Sequence, residues 1–417
     1  MLPRPNLSFT LPSLHDNTKL DCRIYHPTCL NGPLGPSNAT WRQHAAIVAH
    51  PYAPLGGSFE DPVVHLVANT LLNIGFLVAT FNFRGASSSC GRTSWTSKPE
   101  RADYMSVTGF LVHYVHYLRS PQHSTNPTNS TNSTNPTLLL AGYSYGAMVT
   151  IQLPPLESFL SDFASPATHT ALADIRLRAQ HLAEQQVIMS TATPSSPRKS
   201  MGLRVGGDED TTPTKAREKP RLPSPDREEG IRKGVKEILS RHKLIHRKHN
   251  HHHDYDNDHS HNSVGRSDRV EHSETFLEGV DNLIRFRCAF LLVSPPLGII
   301  TNLATMSFSN PLASWSKRKR GVSPSSVRNN KGKLEGEEAE AETKLIRNPT
   351  LVIFGDQDGF LTMKKMHDWT IQLGSPEGSQ FSYVEVSGAG HFWVEEGVAH
   401  ELRSSVFSFA TKLIESP

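Results

Sequence analysis

The pentapeptide Gly142-Tyr143-Ser144-Tyr145-Gly146 constrains this chain more than any other stretch of it. An apolar run, Thr137-Leu138-Leu139-Leu140-Ala141, precedes it and reads as a buried strand. Ala147-Met148-Val149-Thr150-Ile151-Gln152-Leu153 follows and is compatible with a helix. A strand that turns directly into a helix through Gly-x-Ser-x-Gly holds its serine in a tight, strained turn. The two glycines remove the Cβ atoms that would otherwise collide there. The expected result is a nucleophile elbow built on Ser144. The alternative is an ordinary strand-to-helix turn with a serine at the helix start.

A serine hydroxyl is a poor nucleophile until a base takes its proton, and an acid must in turn orient that base. Two later segments supply both. Pro349-Thr350-Leu351-Val352-Ile353-Phe354-Gly355 reads as a buried parallel strand ending in the polar loop Asp356-Gln357-Asp358-Gly359. Phe381-Ser382-Tyr383-Val384-Glu385-Val386 reads as a second strand, leading into Ser387-Gly388-Ala389-Gly390-His391-Phe392-Trp393. The chain has 22 histidines, so one histidine carries little information. His391 stands apart because it follows a strand and a glycine turn near the end of the sequence, which makes it the expected base. Either Asp356 or Asp358 can be the acid on position alone.

Upstream, Ala45-Ala46-Ile47-Val48-Ala49 runs into His50-Pro51-Tyr52-Ala53-Pro54-Leu55-Gly56-Gly57, and Gly75-Phe76-Leu77-Val78-Ala79-Thr80-Phe81 ends in Asn82-Phe83-Arg84-Gly85. With the order Ser…Asp…His, these segments resemble the α/β-hydrolase superfamily. Within it they look like a group of predicted hydrolases with a His-Pro…Gly-Gly loop and a Phe-Asn-Phe-Arg-Gly motif. The resemblance implies an α/β-hydrolase fold, a mostly parallel sheet with helices on both faces. Its Gly-x-x-Asp pattern falls on Gly355 to Asp358 and points to Asp358 as the acid, leaving Asp356 to cap the turn through its own backbone. It also implies an oxyanion hole made by the backbone N–H groups of Tyr52 and Tyr145. Many members carry glycine where Pro51 stands. Proline has no N–H, which moves the first donor to Tyr52. Arg84 can hold an anionic substrate group or tie its loop to neighbouring carbonyls, and the latter is expected. His50 is expected to brace its loop by a hydrogen bond rather than to bind metal or act as acid or base.

A length of 417 residues allows several domains, but the hydrophobic fraction is 36%, with 29 prolines and 28 glycines spread unevenly. The strand patterns fall in separated blocks, expected to form one discontinuous domain. Residues 1–160 are its N-terminal part with the elbow, 276–315 a core strand and pocket segment, and 346–417 the C-terminal part with acid and histidine. Between them, 190–275 and 316–345 are expected to be disordered inserts, low in apolar residues and dense in charge. Within the first, residues 230–239 can form a short amphipathic helix. Ser124 to Thr134 reads as an expanded surface loop.

A net charge of +3 does not suggest nucleic-acid binding. No run reaches the ~18 apolar residues of a membrane span, and no leading segment resembles a signal peptide. Cys22, Cys29, Cys90 and Cys288 lack metal or disulfide spacing, which suits a reducing compartment. A cytoplasmic location is expected, with Lys317-Arg318-Lys319-Arg320 as a candidate nuclear signal. The His-rich tract around His251 to His253 lacks the spacing of a fixed metal site. The expected function is therefore a cofactor- and metal-independent serine hydrolase of a small acyl substrate, an ester or thioester. A non-catalytic binding module that recruits protein partners through the inserts is one alternative, and a serine peptidase is another.

Overall fold

Runs of apolar residues bounded by glycine, proline and polar loops set the strands. The structure, a computed structural model, describes residues 2–31, 41–94, 96–118, 135–191, 225–241, 244–247, 274–297 and 339–415. In chain order the strands are β1 (Leu7–Pro12), β2 (Lys19–Tyr25), β3 (Ala45–Ala49), β4 (Leu77–Phe81), β5 (Thr137–Tyr143), β6 (Leu244–Arg247), β7 (Glu274–Leu277), β8 (Arg287–Val293), β9 (Thr350–Gly355) and β10 (Phe381–Val386). The helices are α1 (Thr28–Asn31), α2 (Pro62–Ile74), α3 (Lys98–Leu118), α4 (Tyr145–Ile151), α5 (Leu156–Leu160), α6 (Ala171–Thr191), α7 (Pro225–Arg241), α8 (339–347), α9 (Met363–Gly374) and α10 (Val398–Glu415).

Eight strands form one sheet in the order β1-β2-β4-β3-β5-β8-β9-β10. β1 and β2 pair antiparallel, as do β2 and β4, and all other neighbours are parallel. Every residue of β3, β4, β5 and β9 is buried. That explains their unbroken apolar runs, since helices cover both faces of a parallel sheet. Alternate residues of β5 divide between two cores: Leu138 and Leu140 join Phe110 and Phe290, while Leu139 and Ala141 join Val64, Leu71 and Leu402. From β3 the chain goes through α2 to β4 on one side, then places β5 on the other. This reversal makes the carboxyl ends of β3 and β5 the switch point at which open α/β sheets bind ligands.

Part of the sequence expected to be disordered is ordered here. Within 190–275, the helix α7 is longer than the 230–239 expected, and it docks on α6. Ile231 and Ile238 are buried there, and Glu228 accepts hydrogen bonds from Arg178 at 2.9 Å and from Thr10 Oγ1 at 3.0 Å. The spacing Ile231, Val235, Ile238 puts an apolar stripe on one helix face. Averaging composition over the whole insert hides that stripe. β6 and β7, also within that range or at its edge, pair as a small antiparallel ribbon. In the 316–345 stretch, α8 begins at 339 and buries Lys344 and Leu345. Lys344 Nζ donates to the carbonyls of Thr150, Ile151 and Leu153, capping the C-terminal end of α4; burial lowers its pKa to about 8. The Ser124–Thr134 stretch, the His-rich tract, the Lys317–Arg320 run and residues 298–315 of the pocket segment lie outside the described residues. No helix among the described residues is long and apolar enough to cross a membrane.

Candidate active site

Ser144 stands between the last residue of β5 and the first of α4 with φ 52° and ψ −117°. Its amide donates to the Val293 carbonyl at 2.8 Å, fastening the turn to the end of β8. The flanking glycines are sterically required. A Cβ on Gly142 would lie 2.3 Å from the Gly146 carbonyl carbon, and one on Gly146 would lie 2.6 Å from the Ala49 oxygen. A larger residue at 142 would collide with the start of α4, and one at 146 would push the elbow away from β3.

The other polar groups arrive from the carboxyl ends of β9 and β10. His391 Nε2 is 2.9 Å from Ser144 Oγ, and His391 Nδ1 is 2.8 Å from Asp358 Oδ2 and 3.0 Å from Oδ1. All three side chains are buried. Asp358 Oδ1 also accepts from the Phe360 amide at 3.0 Å, which holds the carboxylate in place. Asp356 does not reach His391. It spans to the histidine loop, accepting from the Gly388 amide at 2.7 Å and from Ser387 Oγ at 3.2 Å. The expected cap through its own backbone is thus replaced by a cap on the neighbouring loop, because that turn lies directly beside it in the parallel β9–β10 pair.

Two further tethers hold the histidine loop, and local sequence gave no sign of either. Tyr143 Oη donates to the His391 carbonyl at 2.7 Å, and burial pushes its pKa upward, so it stays a donor. Trp393 Nε1 donates to Ser294 Oγ at 3.2 Å, with Trp393 at φ 56° and Ser294 at φ 45°. The loop carrying His391 is therefore fixed to the ends of β5, β8 and β9 at once. A hydroxyl beside the elbow or after a core strand has no pattern that announces such a distant partner.

Tyr52 follows β3, and its ring lies 5.2 Å from that of Tyr145. Neither backbone amide has an acceptor among the described residues. His50 braces this loop: Nδ1 bonds the Pro51 carbonyl at 2.6 Å, while Nε2 accepts from the Phe83 amide at 2.9 Å. Those partners require the neutral Nδ1–H tautomer, and burial, partly opposed by the Pro51 carbonyl, lowers its pKa to about 4. Arg84 is committed to structure. Its guanidinium is paired with Asp103 at 2.7 and 3.0 Å and bonded to Asp16 and Ser13, so its partners are chiefly carboxylates rather than the expected carbonyls. No cluster of three or more metal-ligating side chains occurs among the described residues.

No family model and no curated protein matches the chain. Among solved structures, it is similar to an alpha-beta serine hydrolase homologue from Coxiella burnetii at 15% identity, covering 98% of this chain and 99% of that one with a TM-score of 0.41. The XC6422 protein of Xanthomonas campestris, described as an a/b serine hydrolase without lid, matches at 16% identity over 100% and 99% of the two chains, TM-score 0.43. The Pyrococcus furiosus esterase Pf2001 matches at 11% identity over 97% and 89%, TM-score 0.42. On its own strand order, with an antiparallel opening, parallel remainder and elbow at the end of β5, the chain has the α/β-hydrolase fold.

Proposed function

We propose that the chain is a serine-dependent acyl hydrolase cleaving a carboxylic ester or thioester. The observation that carries this reading is the unbroken line of hydrogen bonds from Ser144 Oγ through His391 to Asp358. In the first half-reaction Ser144 Oγ attacks the substrate carbonyl carbon while His391 Nε2 takes its proton. Asp358 keeps the other ring proton on Nδ1 and stabilises the imidazolium. The carbonyl oxygen becomes an oxyanion that accepts from the Tyr52 and Tyr145 amides, each such donor being worth ~2.7–4 kcal/mol in comparable sites. The intermediate collapses, and His391 returns the proton to the leaving oxygen or sulfur. Water, activated by His391, then releases the acid and restores Ser144.

A fluorophosphonate probe tests this directly. We expect stoichiometric labelling of the full chain, lost in Ser144→Ala and strongly slowed in His391→Ala. A folded protein that resists the probe, or labels equally well without Ser144, would overturn the hydrolase reading and favour a non-catalytic binding module.

A further inference from the structure

The side of His391 not covered by Ser144 and Asp358 carries large apolar side chains that the fold leaves in solvent. Phe360, two residues after Asp358, is 44% exposed, and its ring centre lies 4.5 Å from the His391 ring at an interplanar angle of 39°. Phe392 is 60% exposed, and its ring stands edge-on to Phe360 at 5.7 Å and 88°. It is also perpendicular to His391 at 5.5 Å and 90°. Val394, next along the same loop, is 79% exposed. Two exposed phenyl rings at right angles form a notch that presents a face and an edge to a third aromatic ring, which can pack on them stacked or edge-to-face.

The position of this notch matters chemically. In acylation the Ser144 Oγ–carbon bond forms and the carbon–oxygen bond to the alcohol breaks. The proton taken from Ser144 passes from His391 Nε2 to the departing oxygen. The leaving oxygen must therefore lie on the His391 side of the scissile carbon, away from the Tyr52 and Tyr145 amides that hold the oxyanion. A group attached to it departs toward His391, whose ring Phe360 and Phe392 contact. Resting on the hydrolase reading, we infer that these two rings form the leaving-group subsite and select esters of neutral, aromatic alcohols. The Phe360 amide bond to Asp358 keeps the ring in register with the acid, so the subsite is positioned with the triad.

The test uses the full chain and acetate esters whose alcohols differ in bulk but little in acidity: ethyl, cyclohexylmethyl, benzyl and 2-naphthylmethyl. We expect kcat/KM to rise at least tenfold from ethyl to 2-naphthylmethyl, with benzyl above cyclohexylmethyl. Phe360→Leu and Phe392→Ala should each lower kcat/KM for the naphthylmethyl ester at least fivefold more than for the ethyl ester, with cooperative melting retained. Equal losses on every ester would overturn the assignment and leave Phe360 as a shield over the His391–Asp358 pair. Ser144 labelled by fluorophosphonate but without turnover of any aromatic ester would overturn the subsite alone. Absence of labelling would remove the hydrolase reading beneath it.

Discussion

Ser144 is held at a positive φ that a side chain adopts only at a cost of about 1–3 kcal/mol. The surrounding bonds hold it there: its amide to Val293, its hydroxyl to His391. Asp356 and Asp358 sit in one loop yet have separate partners, which gives a sharp test. Asp358→Asn should lower kcat on an activated ester by ~10⁴, because an amide no longer stabilises the imidazolium and permits the wrong histidine tautomer. Asp356→Asn keeps an oxygen for the Gly388 amide and should change kcat only a few-fold. Asp356→Ala should cost about 1 kcal/mol of stability, since its bonds to Ser387 and Gly388 are solvent-exposed. Steady-state kinetics and thermal melts of the purified variants decide it. A large loss at Asp356→Asn with Asp358→Asn near wild type would assign the acid to the other carboxylate.

At the scale of elements, α6 and α7 show how packing overrides pattern. Residues 161–189 lie outside the blocks read above, yet α6 spans Ala171–Thr191 and buries Ile175, Leu177, Ala179 and Leu182. Its apolar stripe is interrupted by Arg176, which is fully buried because it donates to the carbonyls of Phe163, Ala164 and Glu278. The Arg176 guanidinium bridges segments about a hundred residues apart. Because α7 closes over α6, excision of the whole 198–270 stretch should not be neutral. We expect removal of 198–222 to leave the melting temperature within about 2 °C of wild type. Ile238→Ala should cost about 2–4 kcal/mol by opening a cavity against Ala173, Leu177 and Leu277. Thermal melts of the deletion protein and urea unfolding of Ile238→Ala check this, and an Ile238→Ala protein as stable as wild type would mean that α7 adds nothing to the core.

For the whole molecule, buried histidines set the acid limit. His44, His50 and His113 each have pKa values lowered to about 4, chiefly by burial. Unfolded, each takes up a proton near pH ~6.5, while the folded protein excludes it until near pH 4. The unfolded state therefore binds more protons in this window, and stability falls as pH drops through it. Each histidine contributes a loss of at most about 3 kcal/mol, complete below the folded value. Asp21 and Asp61, whose pKa values burial raises, act with the opposite sign. We expect the unfolding free energy to be level between about pH 7 and pH 8, above which buried Lys344 titrates, and to decline near pH 5 with a slope of roughly two to three protons. His113→Gln should remove close to one of them, because the bond that His113 Nδ1 makes to the Gly109 carbonyl needs no charge. A slope below one proton would contradict the neutral state of these rings.

The sequence by itself determined the strands β3, β4, β5, β8 and β9, because a strand covered on both faces must be apolar at nearly every position. It also determined the elbow turn, because only glycine at 142 and 146 leaves room for the approach of β3 and α4. Ser144 and His391 were legible as residues that each follow a strand, whereas position left Asp356 and Asp358 both open and only the resemblance pointed to Asp358. That Ser144, Asp358 and His391 meet is a property of the parallel sheet, which brings the carboxyl ends of β5, β9 and β10 to one edge although about 250 residues separate serine from histidine. The tertiary structure alone decided that Tyr143, Ser294 and Asp356 hold the histidine loop, and that Arg84 pairs with Asp103 rather than with the expected carbonyls. It alone placed α7 on α6. Hydrogen bonds and ion pairs between distant segments depend on where side chains end in space, and no local periodicity records that.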